Sequence, residues 1–235
     1  NAEQNQALAG YLEDGGVTTL LYGGNAVLYH VRLTEYAQLL EVITNAAAED
    51  SWVIPSVGPC YGTMMDQADI LKDRDFPTAM ILPTRDVVTS GGVASAVRHF
   101  VEAVGKPAVL YIKHDGYIDV EDVRRLANDN LYSWIKYAVV RDDTSQDPYL
   151  RELIDAVGPD KVVSGIGEQP AITHLKDFGL ASFTSGCVCA APRLSMGMLR
   201  ACKAGEWAAA EGIRETFQPL EDLRNGISPI RVLQA

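Results

Sequence analysis

Short apolar runs rich in β-branched residues alternate with amphipathic stretches along almost the whole of this chain, and that alternation limits its fold more than any other feature. The runs 17–22, 52–57, 78–82, 107–112, 131–139, 161–164 and 180–184 read as strands. The intervals 1–15, 33–48, 61–73, 91–104, 119–128, 147–157 and 169–178 read as helices, as does most of 192–225 with a break at Gly205. In the second helix, Thr34 is the expected cap, and Leu39, Leu40, Val42 and Ile43 supply the apolar face. Strands this short, separated by helices, pair in parallel with helical crossovers. Neither a Gly-x-Gly-x-x-Gly fingerprint nor a Walker loop is present, and Gly165-Ile166-Gly167 is only a fragment of the first. The regular repeat favours an α/β fold of the closed TIM (β/α)8 barrel type over an open doubly wound sheet. Roughly seven strand–helix units are legible and no strand precedes the first helix, so the expectation is a barrel lacking its first strand in this chain.

The length of 235 residues suits one large domain with a substantial core. A net charge of −11 argues against nucleic acid or an anionic membrane surface as a partner. No apolar run approaches the ~18 residues that a spanning helix needs. Cys60, Cys187, Cys189 and Cys202 lack zinc-like spacing, and Cys187 and Cys189 are too close for an ordinary structural disulfide; reduced thiols in a cytoplasmic protein are expected.

Within this frame, Lys136 is the unusual residue. It stands near the C-terminal end of the strand 131–139, whose Ile135, Ala138 and Val139 are core residues. Burying an ammonium is costly unless the group is paired or its pKa falls. Two readings are open: a lysine that snorkels from a strand end to solvent, or an amine partly deprotonated by its site and able to attack a carbonyl. In a barrel the active site lies at the C-terminal strand ends, which here carry Gly23-Gly24-Asn25, Gly58-Pro59, Arg85, Tyr111, Lys113, Lys136, Gly165 and Ser185-Gly186. Tyr111 falls one strand before Lys136, so its phenol and the amine can face one cavity from adjacent staves. A phenol there suits a proton relay; core packing is the other reading.

Leu110-Tyr111, the spacing on to Trp134-Ile135-Lys136, Val163-Ser164-Gly165 and Ala191-Pro192-Arg193 resemble the dihydrodipicolinate synthase / N-acetylneuraminate lyase family. Gly23-Gly24-Asn25 falls where that family has its glycine-threonine-threonine turn, and Ser228-Pro229-Ile230 resembles the segment after its barrel. The resemblance implies a single (β/α)8 barrel over 1–235, with a C-terminal helical extension only starting at about 205–235. It implies Lys136 as the Schiff-base lysine, Tyr111 as the catalytic tyrosine, and Gly24, Asn25 and Gly165 as substrate-binding positions. It implies a small-molecule 2-oxo acid substrate, a homo-oligomer (tetramer or dimer), and no cofactor or metal.

The chain departs from the family pattern where hydroxyls are expected. Gly24 and Asn25 replace the two threonines of the turn, and Ala26 and Val27 replace the glycine and acid that follow. Arg85 stands where the synthases have a tyrosine that crosses a subunit interface, and the arginine that binds their second substrate falls near Gly116-Tyr117. The expectation is therefore a class I aldolase or dehydratase acting on a sugar-derived 2-oxo acid such as the family's hydroxylated substrates. The alternatives are 4-hydroxy-tetrahydrodipicolinate synthase and a non-catalytic ligand-binding barrel. Lys113, His114, Arg85 and Arg141 are candidate cations for an acidic substrate, and a solvated loop is the other reading of Arg141. His30 is a candidate for acid–base work or surface packing, and Glu168 for contact with a sugar hydroxyl; His99 and His174 read as structural.

Overall fold

A computed structural model describes residues 1–234. Helix α1 (Ala2–Asp14) leads into β1 (Thr19–Leu21), and a 3-10 turn (Leu28–His30) precedes α2 (Leu33–Ala46). Then follow β2 (Trp52–Ile54), β3 (Ser56–Val57), α3 (Tyr61–Leu71), β4 (Met80–Ile81), α4 (Ser90–Val104), β5 (Ala108–Ile112) and α5 (Val120–Asn128). The second half continues with β6 (Tyr132–Tyr137), α6 (Pro148–Val157), β7 (Val162–Ser164), α7 (Glu168–Asp177) and β8 (Ser182–Phe183). Helices α8 (Pro192–Ala204), α9 (Trp207–Gly226) and α10 (Pro229–Gln234) end the described chain.

Every ladder is parallel, with β1 on β2 and β3 through β8 paired in chain order. The strands β2 and β3 are one stave interrupted at Pro55, which has no amide hydrogen to give a ladder. The described residues thus form seven staves of a (β/α) barrel, and among them no ladder joins β8 to β1. The loops that follow these two strands nevertheless meet: a Cβ at Gly186 would lie 2.6 Å from Asn25 Nδ2.

Side chains alternate across the staves with the period of a strand. Val57, Ile81, Leu110, Ile112, Ile135, Tyr137 and Val162 pack outward against the helical layer. Ile54, Met80, Leu82, Val109, Tyr111 and Ala138 pack inward, with Trp134 and Ile166 against them. This inner set forms the floor on which Lys136 stands.

One local expectation is corrected. Helix α2 is capped by Arg32, without a side-chain bond, because the helix already includes Leu33 and so carries Thr34 inside its first turn. In α1 the buried residues are Ala9 and Leu12, whereas Leu8 and Tyr11 are exposed; the Tyr11 hydroxyl instead donates to Ala190 O at 3.0 Å.

His174 holds the layer between β7 and α7. It is buried, pairs through Nδ1 with Ser164 Oγ at 2.8 Å, and packs edge-on against Tyr137 and Phe178. Burial lowers its pKa from 6.5 to about 4. Between those values the unfolded chain binds a proton that the folded protein does not, so stability falls as pH drops from 6.5 towards 4 and no further on this account. The loss is about 3 kcal/mol at most by the linkage relation. Chemical denaturation across this range is expected to show the fall, and His174→Gln is expected to flatten it; an equal slope in the variant contradicts the assignment.

Candidate active site

The parallel register of β5 and β6 places Tyr111 directly beside Lys136. Both side chains face the barrel interior, and the lysine Nζ lies 4.5 Å from the centroid of the Tyr111 ring. Attraction to the ring face is worth about 2 kcal/mol for a desolvated cation. That is less than the cost of enclosing the charge. Burial, with the charge of Lys113 second, lowers the Lys136 pKa from 10.5 to about 8. Among the described residues no carboxylate pairs with the amine. A pKa near 8 leaves about a tenth of the amine neutral at pH 7. The side chain is partly buried and turns its amine over the Tyr111 ring inside the barrel rather than away from it.

Lys113 lies two residues beyond Tyr111 and so shares its inward parity. It stands at the solvent-accessible rim, where desolvation and the neighbouring charge of Arg85 lower its pKa. The loops carrying Arg85 and Lys113 are tied together by His114, whose Nε2 lies 2.9 Å from Thr84 O. Its Nδ1 is 3.2 Å from Asp115 O, so both ring nitrogens of His114 face backbone carbonyls rather than a ligand. Tyr111 is buried, and burial raises its pKa, with Tyr29 adding to the effect.

Gly165 follows β7 in the closest contact with the lysine. A Cβ at Gly165 would lie 2.8 Å from Lys136 Cγ, 2.9 Å from Ala138 Cβ and 2.9 Å from Tyr137 O. Only glycine allows the strand end to approach the lysine stem this closely. Gly24 and Asn25 lie at the mouth, after β1, in the turn that brings the chain to the 3-10 segment Leu28–His30. Sequence reading missed Tyr29 in that segment. It is half-buried, packs with Tyr111 on the inner floor, and is near enough to raise the pKa of both Tyr111 and Tyr117. The local signal was a tyrosine shortly after a turn that had lost its hydroxyls.

Other sequence candidates are engaged elsewhere. Arg141 makes a two-pronged contact with Asp115, at 2.6 and 2.7 Å, and a further bond to the buried Asp147 at 3.0 Å, so it is committed to the scaffold. Glu168 is turned into the scaffold. Fully buried, it accepts hydrogen bonds from Ser185 at 2.6 Å and Ser195 at 2.7 Å. His30 is exposed, and His99 pairs with Tyr61 at 2.9 Å. The fold also gathers Glu168, Cys187 and Glu221, with ligand atoms all within 4.8 Å of one another. Arg224 supplies the positive charge of that cluster, 3.0 Å from Glu221 and 3.3 Å from Cys187 Sγ. Burial pushes the Cys187 thiol up to about 12 and raises the Glu221 carboxyl. Arg224 and Glu221 thus form a buried ion pair with the Cys187 thiol against it.

These features define a TIM barrel with an enclosed lysine and a tyrosine beneath the mouth of its strands. No family model matches the chain. A relative from Rhizobium meliloti (strain 1021), a probable 5-dehydro-4-deoxyglucarate dehydratase, is 25% identical over 229 residues, covering 91% of this chain and 71% of the relative. Dihydrodipicolinate synthase from Oceanobacillus iheyensis superposes with a TM-score of 0.84 at 23% identity, over 97% of this chain and 75% of that one. A prophage protein of the dihydrodipicolinic acid synthase family from E. coli K12, solved with pyruvate, gives 0.84 at 18% identity over 100% and 80%. The resemblance to the dihydrodipicolinate synthase / N-acetylneuraminate lyase family is borne out by these relatives, and the TIM-barrel fold with it.

Titration of Lys136, followed by the NMR signal of its labelled Cε, is expected to have a midpoint near 8. Lys113→Ala is expected to move that midpoint upward by removing a like charge. A midpoint at the ordinary lysine value of 10.5 would contradict the enclosure of the amine.

Proposed function

We propose that the protein is a class I, Schiff-base lyase acting on a sugar-derived 2-oxo acid, as an aldolase or a dehydratase. The observation that carries this reading is the amine of Lys136, lowered towards neutrality and set in register with Tyr111. The neutral amine attacks the 2-keto carbon, Tyr111 delivers the proton on which hydroxide departs as water, and an iminium forms. The iminium draws electrons from the substrate, so a carbon–carbon bond breaks to give an aldehyde, or a hydroxyl leaves as water. Gly24 and Asn25 on one side and Gly165 on the other line the end of the cavity that takes the 2-oxo acid. Lys113 and Arg85, cationic and without carboxylate partners among the described residues, stand where an acidic far end of the substrate arrives. In this reading the chain needs no cofactor or metal, because the iminium is the electron sink.

The Rhizobium relative supports the dehydratase branch, since its name describes loss of water from a sugar acid. Synthase activity has less support, because Gly116-Tyr117 occupies the position of the second-substrate arginine. In the same reading 1–235 is one barrel domain with a helical extension starting at about 205–235, working in the cytoplasm as a homotetramer or homodimer. Its four cysteines are free, and no helix among the described residues is long and apolar enough to cross a membrane.

Incubation with a panel of hydroxylated 2-oxo acids, with products identified by mass spectrometry, is expected to reveal dehydration or cleavage. Lys136→Ala is expected to abolish turnover, and Tyr111→Phe to lower kcat by about a hundredfold or more. Full turnover in Lys136→Ala would exclude the Schiff-base route.

A further inference from the structure

Tyr29 sits where the mouth of the barrel has lost its hydroxyls. The turn Gly23-Gly24-Asn25 presents no hydroxyl side chain, and Arg85 presents none from the next loop but one. The 3-10 segment Leu28–His30 folds the chain back over that turn: a Cβ at Gly24 would stand 3.6 Å from Tyr29 Cε2 and 4.0 Å from Tyr29 Oη. Gly24 thus leaves room for the phenol, and the hydroxyl of Tyr29 lies against the turn itself. The ring packs on the inner floor with Tyr111, and Tyr29 influences both Tyr111 and Tyr117 electrostatically. Among the described residues neither Tyr29 Oη nor Tyr111 Oη has a protein hydrogen-bond partner, and neither is sealed from the cavity. Tyr36, Tyr137 and Tyr149 are tied down, to Ser56 O at 2.9 Å, Asp147 at 2.6 Å and Ile118 O at 2.7 Å, whereas the orphan hydroxyl of Tyr132 lies in the outer layer, away from the lysine. Two partnerless phenols on one floor, next to an enclosed amine, are suited to passing a proton.

We propose that Tyr29 is the positioning and proton-relay residue that connects Tyr111 to solvent at the barrel mouth, supplied by the same chain in place of the absent turn hydroxyls. The proposal rests on the Schiff-base reading above. In the imine-forming step the Lys136 nitrogen bonds to the keto carbon, the C=O π bond opens, and the proton the nitrogen gives up makes that carbon's oxygen a hydroxyl. This C–O bond then breaks, the hydroxyl leaving as water with the proton of Tyr111. The Tyr111 phenolate takes a proton from Tyr29, and Tyr29 takes one from solvent. The sum is amine plus ketone plus one proton giving iminium plus water. Half-buried Tyr29 reaches both the floor and the mouth, whereas buried Tyr111 has the reacting atoms on its side.

The test is the rate of imine formation with pyruvate, trapped with borohydride and read by intact mass from pH 6 to 9. It is run on the wild-type chain, Tyr29→Phe, Tyr29→His, Tyr111→Phe and the Tyr29→Phe/Tyr111→Phe pair. Tyr29→Phe is expected to slow the step about tenfold or more, with pyruvate affinity changed less than about threefold. The double variant is expected to be no slower than Tyr111→Phe, since both residues serve one route. Tyr29→His, which can carry a proton on a smaller body, is expected to recover part of the rate. A wild-type rate in Tyr29→Phe, losses that multiply in the double variant, or equal losses in the phenylalanine and histidine variants would each overturn the relay alone. No adduct in the wild-type chain with pyruvate or longer 2-oxo acids would overturn the Schiff-base reading and the relay together.

Discussion

An amine enclosed in a parallel barrel, with no carboxylate among the described residues to balance it, is the constraint on which the remainder of the site depends. The charged form of Lys136 is opposed by desolvation first and by Lys113 second, and the Tyr111 ring face offers it compensation. The scaffold must therefore hold the lysine stem without closing over its nitrogen. Gly165 meets that need from one side, because any side chain there would strike Lys136 Cγ, and the β5–β6 register meets it from the other. A buried acid near Lys136 would restore its proton and remove its reactivity.

The surrounding charges are arranged consistently with that need. Three acids close to the strand ends are occupied away from the amine: Asp147 receives Tyr137 and Arg141, Asp115 receives Arg141, and Glu168 receives two serine hydroxyls. Glu221 is held by Arg224. Asp147 also accepts from Leu150 N and so caps α6, which makes one buried carboxylate serve the helix, the tyrosine and the arginine at once. Lys113 and Arg85, without carboxylate partners among the described residues, remain at the rim.

The strand–helix order and the inward partnership of Tyr111 with Lys136 were legible in the sequence because both follow from local pattern. Period-two alternation fixes which residues face inward, and consecutive strands of a βαβ unit lie side by side. Long-range contacts were not legible. Glu168 reads as a polar residue near a loop, and only folding shows Ser185 and Ser195 filling its two oxygens. Arg141 reads as a free loop cation until Asp115 and Asp147 close on it. The Glu168, Cys187, Glu221 and Arg224 cluster combines the start of α7, the β8 loop and α9, which no local spacing links. Tyr29 was overlooked for a related reason: comparison with the glycine-threonine-threonine turn directs attention to positions 24 and 25, while the hydroxyl arrives from the next turn of chain.

The central claim is that chemistry is centred on Lys136 and not on the neighbouring rim lysine. Peptide mapping after incubation with pyruvate and borohydride tests it most directly, because Lys113 is close, cationic and also lowered in pKa. The account predicts a reduced pyruvate adduct on the peptide containing Lys136, with Lys113 unmodified. An adduct on Lys113 alone, or on neither lysine with pyruvate and with longer 2-oxo acids, would contradict it.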